Sequence, residues 1–280
     1  MIWELATTVT EAAKKEGESG GGSGWIMHHV LDSHQLDFSP FGVIDLPHIE
    51  VFGIDISITK HIVFMWFAVI VLFIIINYVA KQHKKSLIPT GISNLMEILI
   101  VFVRDDIAKA TIGKGYEKFL SYLLTVFFFI LFCNLTGLIP YGNTPTSNIA
   151  VTATLATLSF IVIQAGGMMK NGAFGYFKGL IPHGIPMWLL PIMIVVEFLG
   201  LFTKPFALAV RLFANMTAGH VVIFALIGLI FILKTYFVAP VSVSFALFIF
   251  LLEILVALIQ AYIFTVLSSI FIGMAVHQEH

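Results

Sequence analysis

Charge is what this sequence has least of. Acids and bases make up 11% of its 280 residues, against about 25% in an ordinary soluble domain. That leaves too little polar surface to coat a globule of this size, which excludes an ordinary soluble protein. Cysteine is almost absent too. Cys133 is the single one, so no intramolecular disulfide can form, and its apolar surroundings read as a small buried hydrophobe. The net charge of −1 and the lack of any basic patch exclude a nucleic-acid partner. Also missing are GxGxxG, P-loop and HExxH patterns, so neither a cofactor nor a metal is expected. The start of the chain lacks the charged-then-apolar plan of an ordinary secretory signal.

What is present is hydrophobic residue, 59% of the chain, with a mean hydropathy of +0.98. Residues 1–58 stand apart. They hold nine of the sixteen acids and a Gly/Ser linker, GESGGGSG, over 17–24. This composition predicts a mobile tail, followed by a membrane-embedded domain over 59–280. His28, His29 and His34 cluster in the tail, but no Cys, Asp or Glu spacing completes a ligand set, so they read as solvated.

The first span covers 61–80, twenty residues without Lys, Arg, Asp or Glu, and about 20 residues cross the hydrocarbon. KQHKK follows at once, which places this end in the cytoplasm and the tail outside. Residues 91–113 mix Leu95, Ile98 and Phe102 with Glu97, Arg104, Asp105, Asp106 and Lys109, the pattern of an amphipathic helix along the cytoplasmic face or of a packed connector. Further spans fall at 118–139 and 147–169. The loop 140–146 between them has no Lys or Arg, whereas Lys170 and Lys178 follow the third span, so the positive-inside rule gives the same topology again. From Pro186 the chain is apolar to Leu233, some 48 residues. This is either one long, strongly tilted helix or an in-plane helix followed by a span. A turn over 234–244 and a last helix over 245–276 return the chain to the cytoplasm. The fold class is therefore an all-α integral membrane protein: five transmembrane helices plus a surface helix, tail outside and C-terminus inside.

Ionisable groups inside a bilayer cost about 2.5–3.5 kcal/mol each on insertion scales and tend to mark a transport path. Glu197, Lys204 and Arg211 are spaced at seven and seven, which keeps them on one stripe of a helix. Asn215 lies four residues beyond Arg211, and His220 further along. The last helix offers Glu253 and Gln260, again seven apart. Along the helix Glu197 is about 21 Å from Arg211 on one side and His220 about 13 Å on the other. Glu253 and His220 can alternatively pair simply to fix packing, and Glu197 and Lys204 can snorkel to the interface. Arg211 resists such explanations, because no acid stands three or four residues from it on its own helix.

The stretch RLFANMTAGH over 211–220 resembles the signature of subunit a of the rotary F-type ATP synthase. LLPIMIVVEFLGLFTKPFALAVRLFANM before it and EILVALIQAYIFTVLSSIFIGMA after it are similar to that family's last two helices, and NLTGLIPY and PTSNIAVTATLA to its middle ones. The likeness covers residues 90–280, with the motifs in the family's order. It implies that the last two helices form a hairpin against a ring of c subunits, with a subunit b stalk and the remaining ATP synthase subunits as further partners and the cell inner membrane as location. It implies roles as well: Arg211 as the essential arginine, Asn215 and Gln260 as its polar neighbours, Glu197 in the cytoplasmic half-channel, and His220 with Glu253 in the opposite one. Lys204 stands where a basic residue is usual. Some members carry acid then histidine at the last pair of positions; here the order is histidine then acid.

In such a machine each ring subunit carries one carboxyl in the membrane. A neutral acid can face lipid, whereas a carboxylate is penalised there. A fixed cation opposite it favours ionisation, and arginine serves because burial can discharge a lysine but not an arginine. Two readings from other classes compete. A secondary transporter predicts inverted repeats and broken helices, and no self-similar halves are visible. A purely structural scaffold leaves the row of buried ionisable residues without a purpose.

Overall fold

The computed structural model describes residues 35–37, 43–45, 47, 50–51, 54–55, 57–85, 88, 90–139, 142–179, 190–233 and 237–277. The Gly/Ser linker and the histidine cluster of the tail lie outside them. Near the start are two short antiparallel hairpins. In one, β1 (Gln35–Asp37) pairs with β2 (Val43–Asp45), Leu36 opposite Ile44. In the other, β3 (Glu50–Val51) pairs with β4 (Ile54–Asp55). They add a small strand content outside the spans to a chain that is otherwise helical, as expected.

Among the described residues five helices are long and apolar enough to cross a membrane: α1 (Lys60–Lys85), α4 (Glu117–Thr136), α5 (Ile149–Asn171), α7 (Leu190–Leu233) and α8 (Ala239–Val276). Between the first two lie α2 (Ile92–Val101), a π-helical stretch over Phe102–Lys109 and the short α3 (Ala110–Ile112). α6 (Ala173–Gly179) follows α5. The number of spans agrees with the sequence reading. Some boundaries do not. α1 runs on through KQHKK, since Lys, Gln and His continue a helix once it has left the hydrocarbon. α8 begins at Ala239 rather than 245, because Pro240 falls in its first turn, where a missing N–H costs nothing. Of the two possibilities for 186–233, one continuous helix is found over Leu190–Leu233. At about 1.5 Å per residue its 44 residues exceed twice the length that a perpendicular span needs.

The chain packs as two compact units. The first comprises Met1–Val71, Leu131–Val151 and Leu212–Ile259, and the second Leu72–Ile130, Thr152–Arg211 and Gln260–His280. In the second, the segment from α2 to α3 turns Ser93, Met96, Val103, Ile107, Ala108 and Ile112 inward. The spacing of four to five between Val103, Ile107–Ala108 and Ile112 suits the wider π turn, which keeps all of them on one side. Leu95 and Ile98 face outward instead, so the first half of this segment is apolar on its exposed side. Asp106 and Lys109 face outward in the second half. Arg104 binds Asp105 through Nε at 3.0 Å and Nη2 at 2.8 Å, and this hydrogen-bonded guanidinium holds the Asp105 carboxyl below its usual range. Thr111 Oγ1 meets Ser269 Oγ at 2.5 Å and fastens the segment to α8.

α8 shows the logic of a membrane helix most plainly. Its buried positions include Ser242, Ala246, Glu253, Ala257, Gln260, Ala261, Thr265 and Ser268, spaced mostly by three, four or seven residues, and most are small or polar. Phe245, Phe248, Leu251, Leu255 and Leu258 are exposed. Lipid is as apolar as leucine, so helices gain most from close packing of small residues and from hydrogen bonds.

Candidate functional site

In the first unit, polar side chains converge where α4 ends. The chain turns at Gly137, returns, and forms a 3₁₀ turn over Pro145–Ser147 just before α5. Pro145 begins that turn. Ser147 closes it twice onto the Thr144 carbonyl, with its N–H at 3.0 Å and its hydroxyl at 2.7 Å. Thr146 Oγ1 donates to Asn134 Oδ1 of α4 at 2.5 Å, and Asn134 Nδ2 donates to the Ala257 carbonyl of α8 at 3.4 Å. His61 of α1 reaches the same turn, its Nε2 3.2 Å from Ser147 Oγ. All of these side chains are buried.

His220 of α7 enters this cluster. Its Nε2 lies 2.5 Å from Thr144 Oγ1 and its Nδ1 3.6 Å from Glu253 Oε1. The second distance is too long for a hydrogen bond and suits an ion pair when the ring is charged. Glu253 is 4% exposed, and among the described residues neither of its oxygens has a hydrogen-bond partner. A carboxyl buried in that way costs stability, and a packing role alone does not account for it. Two glycines make the approach possible. A Cβ on Gly137 would overlap the Thr144 hydroxyl, and one on Gly219 would overlap a Glu253 carboxylate oxygen.

In the second unit, Glu197 and Lys204 of α7 line a cavity of about 340 Å³ with Gln164, Tyr176, Phe271 and His277. The Lys204 ammonium lies 5.3 Å above the centre of the Phe271 ring, a cation–π contact. Burial raises the Tyr176 hydroxyl above its ordinary pKa. His277 Nδ1 is 3.2 Å from Lys170 Nζ. Gln260 is buried on α8, whereas Arg211 and Asn215 are exposed on α7. Among the described residues no carboxylate forms an ion pair with Arg211.

The structure thus brings His220 within reach of Glu253, a pair named from sequence, and lets Glu197 and Lys204 line one cavity. It adds Thr144, Asn134, His61 and Ser147 to the first group and Gln164 and Tyr176 to the second. The run NTPTSN over 143–148, polar and directly ahead of an apolar span, carries a signal for the former.

The sequence pattern that defines the ATP synthase A chain family matches residues 62–273. The chain belongs to that family. It is similar, at 59% identity over 259 residues, to ATP synthase subunit a of Chloroherpeton thalassium, with 91% of this chain and 77% of the relative covered. ATP synthase subunit a of Pelodictyon phaeoclathratiforme is 53% identical, covering 96% and 81%. The Myxococcus xanthus subunit is 51% identical, covering 81% and 75%. Membership of the ATP synthase A chain family, with five helices among the described residues long and apolar enough to cross a membrane, makes this a multi-pass component of an ATP synthase membrane sector, engaged in proton transport and associated with other subunits of that complex.

Proposed function

We propose that the chain is the non-catalytic stator subunit that leads protons to and from a rotating ring of c subunits. What carries this reading is Arg211: a permanent cation, exposed on an apolar helix and without a carboxylate partner among the described residues. An unpaired guanidinium facing lipid is expensive. A ring carboxyl passing it supplies the missing anion. That carboxyl loses its proton opposite Arg211 because the fixed charge stabilises the carboxylate. It takes up a proton again before returning to lipid, because only the neutral acid is tolerated there.

Two offset half-channels serve these steps. His220 and Glu253 line the outer one, where an imidazole, whose unperturbed pKa is about 6.5, is suited to relaying protons. Glu197, with Lys204 as an accessory, lines the cytoplasmic one. Asn215 and Gln260 hold the polar surroundings of Arg211, whose charge prevents protons from running directly from one half-channel to the other. Movement of charge therefore requires rotation, and each charge crossing 100 mV supplies about 2.3 kcal/mol.

Residues 1–58 form the extracytoplasmic tail and 59–280 the translocating domain, in the cell inner membrane, with the C-terminus in the cytoplasm. The stalk formed by subunit b keeps this chain from turning with the ring. A secondary transporter would use helices broken near the midplane, whereas α7 runs unbroken over Leu190–Leu233.

The test is ATP-driven proton pumping in inverted membrane vesicles carrying the whole complex. Arg211→Ala and Arg211→Lys are expected to abolish it while the complex still assembles. Normal acidification by Arg211→Ala would refute the role.

A further inference from the structure

Thr144 has no assigned part, yet contacts from several elements of the first unit converge at its turn. It is fully buried. Its carbonyl accepts both bonds from Ser147, and Ser147 is in turn met by His61. The adjoining Thr146 is tied to Asn134. α1, α4 and the 3₁₀ turn together fix one hydroxyl against one ring nitrogen, His220 Nε2. The glycine at 137 is required for that contact, since any side chain there would occupy the place of the Thr144 hydroxyl.

A neutral imidazole has one nitrogen that donates and one that accepts. Nδ1 of His220 is the nitrogen on the Glu253 side. With Glu253 ionised, the Nδ1 proton points at the carboxylate, and Nε2 accepts a hydrogen bond from the Thr144 hydroxyl. With the ring doubly protonated, the same hydroxyl rotates and accepts from Nε2–H. A hydroxyl can do both, so the ring stays anchored through a whole cycle of proton gain and loss. A methyl group of the same size can do neither.

We propose that Thr144 is a positioning residue for proton transfer at His220: its hydroxyl holds Nδ1 towards Glu253 in both protonation states of the ring. This rests on the reading of His220 as a relay in the outer half-channel.

The experiment compares Thr144→Val, Thr144→Ser and His220→Ala in the complete complex, as ATP-driven proton pumping in inverted vesicles divided by the amount of this chain in the purified complex. Thr144→Val is expected to lower pumping per complex by about fivefold or more, the scale of one lost buried hydrogen bond. Thr144→Ser keeps the hydroxyl and is expected to restore most of the rate, which a purely steric role would not produce. Wild-type pumping by Thr144→Val, or equal loss in the Val and Ser variants, overturns the inference. If Thr144→Val does not enter the complex, Thr144→Ala replaces it: a slow Ala beside a fast Ser supports the proposal, and equal rates overturn it. His220→Ala separates the two levels. A slow His220→Ala with a normal Thr144→Val removes the role of Thr144 alone. An unimpaired His220→Ala removes the relay itself.

Discussion

Gly219 is small because of what stands across from it on α8. A Cβ there would meet the Glu253 carboxylate, so Gly219→Ala must displace that group from its place near His220. Proton pumping in inverted vesicles is expected to fall several-fold with the complex still assembled; an unchanged rate would mean that the separation of His220 and Glu253 does not govern transfer. Arg211, His220, Glu253 and Glu197 were legible in the sequence for one physical reason. An ionisable group in an apolar run contradicts its surroundings, and the contradiction is visible without coordinates. Thr144 and Asn134 carry no such contrast, because hydroxyls and amides are ordinary in turns. The bond that gives Thr144 its meaning joins residues 76 apart in the chain, a distance that no local pattern spans.

Among the elements, α3 stops at Gly113, whose φ of 69° and ψ of −128° lie in a region that residues with a Cβ rarely adopt. Space is not the obstacle, since nothing lies within 4 Å of a Cβ placed there; the backbone is. Gly113→Ala is expected to destabilise the chain by about 1–3 kcal/mol, read as a lower unfolding midpoint of the purified complex in detergent. An unchanged midpoint would show that the segment bends elsewhere. Helix number was readable because runs of twenty apolar residues have few other uses. Helix ends were less so. Pro240 falls within the turn expected over 234–244 but serves as a first-turn residue of α8. The π stretch over Phe102–Lys109 stayed hidden because Leu95 and Ile98 suggested a face that the structure turns outward. The lysines and histidine of KQHKK lie within the last turns of α1, so they do not mark the end of the helix.

For the molecule as a whole, topology is the property that ties the tail, the loops and the two proposed half-channels to particular sides. Lys84 and Phe237 are both exposed, on the α1 end and the α7–α8 connection respectively, and the native Cys133 is fully buried and gives little background. A membrane-impermeant maleimide is expected to label Lys84→Cys in inverted vesicles only and Phe237→Cys in right-side-out vesicles only. The opposite pattern would turn the whole assignment over. The positive-inside count gives an expected orientation from composition alone, whereas the division into two packed units has no such signal, because each draws on three separated segments of chain. The two sides of α8 also answer to different constraints. On the exposed side, where Phe245, Phe248 and Leu251 stand, nothing within the chain limits the size of a hydrocarbon side chain. On the inner side a single added methyl group at Gly273 would strike the Thr111 carbonyl, so that side can change only in step with its neighbours.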